Sequence, residues 1–269
     1  LRGLGGDDTL IGGAGADVLD GGTGAGDWAD YSTSSAAVSV NLASATSTGG
    51  DAQGDSLIAI ENLRGSSLAD ALTGDVGNNA LDGGDGDDTL VGGAGADAFN
   101  GGAQADVVDY STAVAGVSVD MTTTLGSTGD GAGDTFTGVE NLRGSSHADA
   151  LTGDDAANAL WGDAGGDTLN GSAGADTLRG GADLDTLNGG SEDDILIGGA
   201  GGDVLNGGAG SGDWADYSTS ASGVTVNLQT GAASGGDAAG DTLQFIEYLR
   251  GSAQADTLTG NTLNNWLFG

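Results

Sequence analysis

The sequence predicts an all-β fold: a parallel solenoid of stacked coils, interrupted three times by wider ones. Two patterns lead there. A nine-residue glycine–aspartate repeat runs in one frame through most of the chain, and a longer repeat interrupts it three times and returns to that frame. Composition then says what must hold such a solenoid together. The 269 residues include 57 Gly, no Pro and no Cys, and 40 acids against 5 bases give a formal charge of −35. Leu, Ile, Val and Phe make up only about 19% of the chain, a level that with high net charge normally leaves a polypeptide disordered. Something outside the chain must neutralise it. All but four of the acids are Asp, and short carboxylates beside Gly suit tight turns and ion coordination. A divalent cation is the partner this composition calls for.

The nonapeptides come first. GLGGDDTLI from Gly3 and GGAGADVLD from Gly12 open the chain. GGDGDDTLV, GGAGADAFN and GGAQADVVD follow from Gly83, and six more run from Gly153 to Asn206. The pattern is G-G-x-G-x-D-x-U-x, with U a large apolar residue. Gly at positions 1, 2 and 4 frees the backbone and lets carbonyls crowd one point. Asp at position 6 ends the turn with a carboxylate. Positions 7 to 9 form a short strand whose position-8 side chain points inward: Leu81, Leu90, Phe99 and Val108, then Leu160, Leu169, Leu178, Leu187, Leu196 and Leu205. Two nonapeptides make one coil, so every second turn aligns along an edge. Aligned turns bring together two carboxylates and several carbonyls, an oxygen cage for a hard cation.

The longer repeat begins DYS at Asp30, Asp109 and Asp216 and continues as VSVNL, VSVDM and VTVNL from Val38, Val117 and Val224. It closes as ENLRGS or EYLRGS at Glu61, Glu140 and Glu247, 31 residues after the Asp in every copy. Degenerate nonapeptides then resume, GSSLADALT, GSSHADALT and GSAQADTLT. The expected layout is one continuous β-solenoid over 1–269, with nonapeptide runs at 3–30, 65–109, 144–216 and 251–269. The wider coils occupy 31–64, 110–143 and 217–250, with Val38, Val40 and Leu42 inward and a polar bulge after them.

These nonapeptides resemble the repeats-in-toxin (RTX) β-roll, and IENLRGS followed by D-x-L-x-G resembles the start of the C-terminal β-roll of serralysin-type proteases. The resemblance covers nearly the whole chain. It implies a right-handed parallel β-roll that binds calcium in its turns, is disordered before export by type I secretion, and folds outside the cell or at its surface. The proteases' catalytic domain and zinc-binding helix motif are not in this sequence, so no enzymatic activity carries over.

The candidate ligands are the position-6 residues: Asp8, Asp17 and Asp27; Asp88, Asp97 and Asp106; and Asp167, Asp176, Asp185, Asp194, Asp203 and Asp213. Asp70, Asp149 and Asp256 hold that position in the degenerate copies. Pairing every second turn gives about ten Ca²⁺ sites. Asp55, Asp134 and Asp241 in the inserts are further candidates, and Asn79, Asn158 and Asn265 offer only a neutral oxygen. Gln104, Asp183 and Glu192 replace the position-4 Gly and are expected to distort their turns or lend an oxygen. Trp28, Trp214, Tyr31, Tyr110 and Tyr217 read as filling of the wider coils, with a carbohydrate-stacking surface as the alternative. Arg2, Arg64, Arg143 and Arg250 are expected to pair with carboxylates or carbonyls, Glu61, Glu140 and Glu247 among them, and His147 to be an exposed turn residue.

Several classes are excluded. Five Arg and no Lys argue against nucleic-acid binding. No apolar run approaches a membrane span, and absent Cys excludes disulfides and thiolate metal sites. No targeting segment is visible, and a start at Leu1 reads as a processed or excised fragment. The expected function is a calcium-dependent folding module of a secreted bacterial protein, with no catalysis. The alternatives are a self-associating structural or adhesive repeat of a surface layer, filament or adhesin, and an accessory module of a secreted polysaccharide-modifying or lytic enzyme. Leu1-Arg2-Gly3 and Leu267-Phe268-Gly269 share repeat positions 8, 9 and 1, which points to end-to-end stacking as the mode of association.

Overall fold

The computed structural model describes residues 1–123 and 125–269; Thr124, in the insert 110–143, lies outside the described residues. The described residues form short β-strands and three 3₁₀ turns, Gly50–Ala52, Gly129–Gly131 and Gly236–Ala238. No helix is long and apolar enough to cross a membrane. The chain gathers into two compact units, Leu1–Ala113 with 125–141, and Val114–Thr123 with Leu142–Gly269.

In the first unit one sheet stacks Thr9–Leu10, Trp28–Asp30, Asn62–Arg64, Ala80–Asp85, Ala98–Ala103 and Thr135–Thr137 in parallel. A second stacks Ser39–Asn41, Ala71–Thr73, Thr89–Val91 and Val107–Asp109. In the second unit the corresponding sheets contain Ala150–Thr152, Thr168–Ser172, Thr186–Ser191 and Val204–Ala209 on one side, and Ala159–Ala164, Thr177–Ala182 and Ile195–Ala200 on the other. Partners lie two nonapeptides apart, as in Leu160↔Leu178↔Leu196 and Leu169↔Leu187↔Leu205. This is the parallel β-roll the repeat period demands.

The core is built from one inward row of side chains on each sheet. Every position-8 residue predicted to face inward is buried, from Leu81 through Leu205. Each such Leu gains about 1.5–3 kcal/mol on burial, and Leu178→Ala would cost about 2–5 kcal/mol with its cavity. Phe99 stacks on Phe136 at 5.7 Å with the edge of Tyr110 against it, filling the coil that the second insert widens.

Two expectations about local structure need correction. Val38 and Val40 are buried, but Leu42 is only half-buried, because the strand ends at Asn41 and the chain doubles back. The polar bulge is an antiparallel flap: Ser39–Asn41 pairs with Thr46–Thr48 in the first insert, and Thr225–Asn227 with Ala232–Ser234 in the third. The position-4 substitutions do not distort their turns. Gln104, Asp183 and Glu192 adopt φ of 88°, 79° and 73°, the left-handed angles that Gly takes elsewhere. Position 1 needs Gly for a different reason: a Cβ at Gly171 would overlap Oδ2 of Asp176 and the carbonyl oxygen of Gly189.

Candidate metal sites along the aspartate ladders

Beyond the first coil, each position-6 Asp is fixed by the coil before it. Oδ1 of Asp185 accepts the backbone N–H of Asp167 at 2.8 Å, and Oδ1 of Asp203 accepts that of Asp185 at 3.0 Å. On the opposite edge, Asn158, Asp176 and Asp194 donate in the same way to Asp176, Asp194 and Asp213 at 2.8, 2.9 and 2.8 Å. The first unit repeats the pattern from Asp70 to Asp88 to Asp106 and from Asn79 to Asp97. A carboxylate every second turn, each clamped by one oxygen, makes a ladder along each edge.

The other oxygen has no partner. Among the described residues, twelve of the fourteen buried side-chain polar atoms without a hydrogen bond are Oδ2 atoms of ladder Asp: Asp8, Asp27, Asp88, Asp97, Asp106, Asp167, Asp176, Asp185, Asp194, Asp203, Asp213 and Asp256. All twelve are among the fifteen candidates from sequence. A buried, unpaired carboxylate oxygen is costly, and a dozen in register fit a row of cation-binding positions. The carbonyl oxygen of the position-1 Gly two repeats on stands beside Asp8, Asp88, Asp167, Asp176, Asp185 and Asp194, as with Gly101 near Asp88 and Gly180 near Asp167. The donor set is all oxygen, which suits calcium. No group of three or more His, Cys, Asp or Glu side chains forms a metal cluster among the described residues; the oxygens gathered beside these Oδ2 atoms include main-chain carbonyls, as at Gly83 and Gly162.

The remaining three candidates differ. Asp70 Oδ2 accepts the backbone N–H of Ser66 at 2.5 Å, and Asp149 Oδ2 that of Ser145 at 2.6 Å; their Oδ1 atoms accept from Val38 and Val117. Serine at position 2 thus supplies donors that leave neither oxygen free. Asp17 is half-buried and donates its N–H to Asp55 Oδ1 at 2.8 Å. The Asn turns satisfy themselves: Oδ1 of Asn79 caps Asp75 N–H while its amide donates to the Glu61 carbonyl at 2.6 Å.

The inserts add carboxylates to the ladders that the sequence reading missed. Glu61, Glu140 and Glu247 occupy ladder positions, their Oε2 atoms accepting the N–H of Asp27, Asp106 and Asp213 at 3.1, 2.9 and 3.3 Å. The ion pairs described for the arginines are all to Asp. Beside them, the carbonyls of Ala59, Gly138 and Phe245 crowd Gly21, Gly101 and Gly207, next to those same three Asp. All three carbonyl-bearing residues sit at positive φ, 47°, 55° and 51°. Reading E-N-L as D-T-L with a longer carboxylate would have found the Glu. Asp55, Asp134 and Asp241 are also ladder members, but their Oδ2 atoms accept hydroxyl hydrogens from Tyr31, Tyr110 and Tyr217.

Burial raises the ladder carboxyls. Desolvation, reinforced by the neighbouring carboxylates and opposed by the backbone N–H, lifts Asp88, Asp97, Asp185 and Asp194 to about 7 and Asp106, Asp167, Asp176 and Asp213 to about 6. The arrangement concentrates charge that only a cation or protons can relieve.

The accessory residues are also placed. Arg2, Arg64, Arg143 and Arg250 pair with outward Asp20, Asp82, Asp163 and Asp216 at 3.0, 2.8, 2.7 and 2.9 Å. Arg64 and Arg250 lie over the rings of Trp28 and Trp214, and Tyr31, Tyr110 and Tyr217 are buried. The three tyrosines therefore fill the wide coils and offer no stacking surface. His147 is exposed in its turn.

A parallel roll whose aligned turns present free, buried carboxylate oxygens is a calcium-binding β-roll. Residues 1–26, 65–108, 134–169, 143–178, 161–196, 179–212 and 241–269 match the RTX calcium-binding nonapeptide repeat. The chain belongs to this family, whose repeats bind calcium. No curated protein matches the chain.

Proposed function

We propose that the chain is a calcium-dependent folding module of a secreted bacterial protein, one continuous solenoid over residues 1–269, without catalytic activity. The observation that carries this reading is the row of unpaired Oδ2 atoms along both ladder edges. Asp8, Asp27, Asp88, Asp97, Asp106, Asp167, Asp176, Asp185, Asp194, Asp203, Asp213 and Asp256 are the proposed carboxylate ligands, together with turn carbonyls and with Glu61, Glu140 and Glu247 where each insert begins its return. The proposed count is on the order of ten ions.

Bound calcium supplies charge neutralisation and a link between successive coils. The chain's own residues do the rest. Each Oδ1–amide bond fixes the carboxylate plane, the position-1 Gly leaves the space beside Oδ2 open, and left-handed residues at positions 2 and 4 turn carbonyls toward it. In the absence of an ion the carboxylates repel their neighbours along each ladder, as Asp185 does Asp167 and Asp203, so binding and folding are a single event. That coupling suits a protein exported unfolded from a calcium-poor cytoplasm and folded outside. Counting bound ions by elemental analysis after dialysis tests the proposal; fewer than one ion per two free-oxygen Asp would count against it.

A further inference from the structure

The outward face of the second unit carries a groove that the ladders do not use. Trp161, Arg179 and Ile197 form one row across three parallel strands, Trp161 paired with Arg179 and Arg179 with Ile197. The matching row on the other sheet is Asn170, Asn188 and Asn206. The 3₁₀ turn Gly236–Ala238 of the third insert packs against strand Ile195–Ala200 and brings Asp237 to the row. The resulting groove is about 380 Å³, lined by Trp161, Arg179 and Ile197 together with Asp163, Thr219 and Asp237. That is the size of a small-ligand site.

Arg179 sets this groove apart. The other four Arg are each paired with an Asp. Among the described residues Arg179 has no carboxylate partner, in a chain with 40 acids. Nor does its guanidinium cover an indole, as Arg64 and Arg250 do at 5.2 Å. It is exposed beside Trp161 with its donors unspent. Asp163 is held by Arg143, and the Asp237 backbone N–H is held by Ser220 Oγ at 3.0 Å, so the two acids of the groove are fixed from outside it.

We propose that this groove binds an uncharged oligosaccharide. A pyranose ring offers an apolar C–H face and a rim of hydroxyls. The Trp161 indole and Ile197 match the face. Arg179 supplies donors only, the Asp237 and Asp163 carboxylates acceptors only, and the Thr219 hydroxyl both, which is the complement of sugar hydroxyls. One guanidinium between two carboxylates, in a chain of formal charge −35, gives no attraction for a polyanion. The site is independent of the calcium ladders except that the roll must be folded.

The test uses the calcium-saturated full chain. Binding to cellohexaose, maltohexaose and N-acetylchitohexaose, with acidic glycans alongside, is read by a glycan array and then by tryptophan fluorescence. At least one neutral oligosaccharide is expected to bind and to perturb the fluorescence. Trp161→Ala and Arg179→Ala should each weaken that binding by about tenfold or more, with the calcium-induced circular dichroism unchanged. Binding of acidic glycans only, of none, or with the same affinity in both variants would overturn the proposal.

Discussion

The Tyr217 hydroxyl donates a 2.9 Å hydrogen bond to Oδ2 of Asp241, whose Oδ1 accepts the Asp203 N–H at 2.8 Å. Asp241 is thus a ladder rung whose second oxygen has been given a protein donor. Tyr110 and Tyr31 treat Asp134 and Asp55 in the same way at 2.7 and 3.2 Å. Burial and the adjacent carboxylate raise the pKa of the Tyr217 hydroxyl well above its ordinary value, so it stays a neutral donor. Each insert therefore joins the solenoid through one rung that a tyrosine completes and one rung, at Glu61, Glu140 or Glu247, that a glutamate extends.

Tyr217→Phe leaves Oδ2 of Asp241 buried without a donor. The calcium-loaded protein should lose about 1–3 kcal/mol, measured by chemical denaturation in excess calcium. An unchanged midpoint would show that the hydroxyl is not holding that rung.

Two aspartates at equivalent repeat positions should behave differently. Asp176→Asn keeps an acceptor for the Asn158 N–H but removes the free carboxylate oxygen. The ion count by isothermal titration should fall by at least one, with about 1.4 kcal/mol lost when calcium stands tenfold above Kd. Asp70→Asn, whose two oxygens already accept from Ser66 and Val38, should leave the count unchanged. Equal losses from both would refute the assignment by free oxygen.

Turn geometry gives opposite outcomes for two glycine exchanges. Gly171→Ala puts a methyl group against Asp176 Oδ2 and the Gly189 carbonyl and should abolish calcium binding at that turn. Gln104→Gly relieves a residue at φ 88° and should stabilise the holo protein by about 1 kcal/mol. Thermal melts of the two variants in calcium decide this.

The pH dependence should invert with metal. Asp88, Asp97, Asp185 and Asp194 are held near 7 in the fold by burial and carboxylate repulsion, against about 3.9 in an unfolded chain. Between those values the folded state binds more protons, so stability without calcium is greatest at acid pH and is lost as pH rises through about 7. Calcium competes with those protons, and its affinity should rise over the same interval. Circular dichroism in calcium-stripped buffer from pH 4 to 8 checks the first, and calcium titrations at pH 6 and 8 the second.

The repeat made most of the fold legible. A strict nonapeptide period sets the parallel register, the inward Leu row and the position-6 Asp in one stroke, because each coil repeats the same local problem. Ten of the twelve free-oxygen aspartates follow from the same frame, and Asp27 and Asp213 follow once one extra residue is allowed in their turns. What the period could not show lies where the frame breaks. Asp70 and Asp149 look like ligands by position, yet a serine four residues earlier satisfies them. The three Glu were hidden because their turns reach the ladder with a longer side chain after an irregular loop. The antiparallel flaps depend on contacts between residues that share no repeat position. The Trp161 groove needed an insert folded against a strand far from it in sequence.

Far-ultraviolet circular dichroism of the chain at pH 7.5, titrated with calcium from a metal-free start, is the most direct measurement. The spectrum should begin as that of a disordered chain and convert cooperatively to β-structure as the ladders fill. A full strand spectrum already present in calcium-free buffer, unchanged by the ion, would contradict the account.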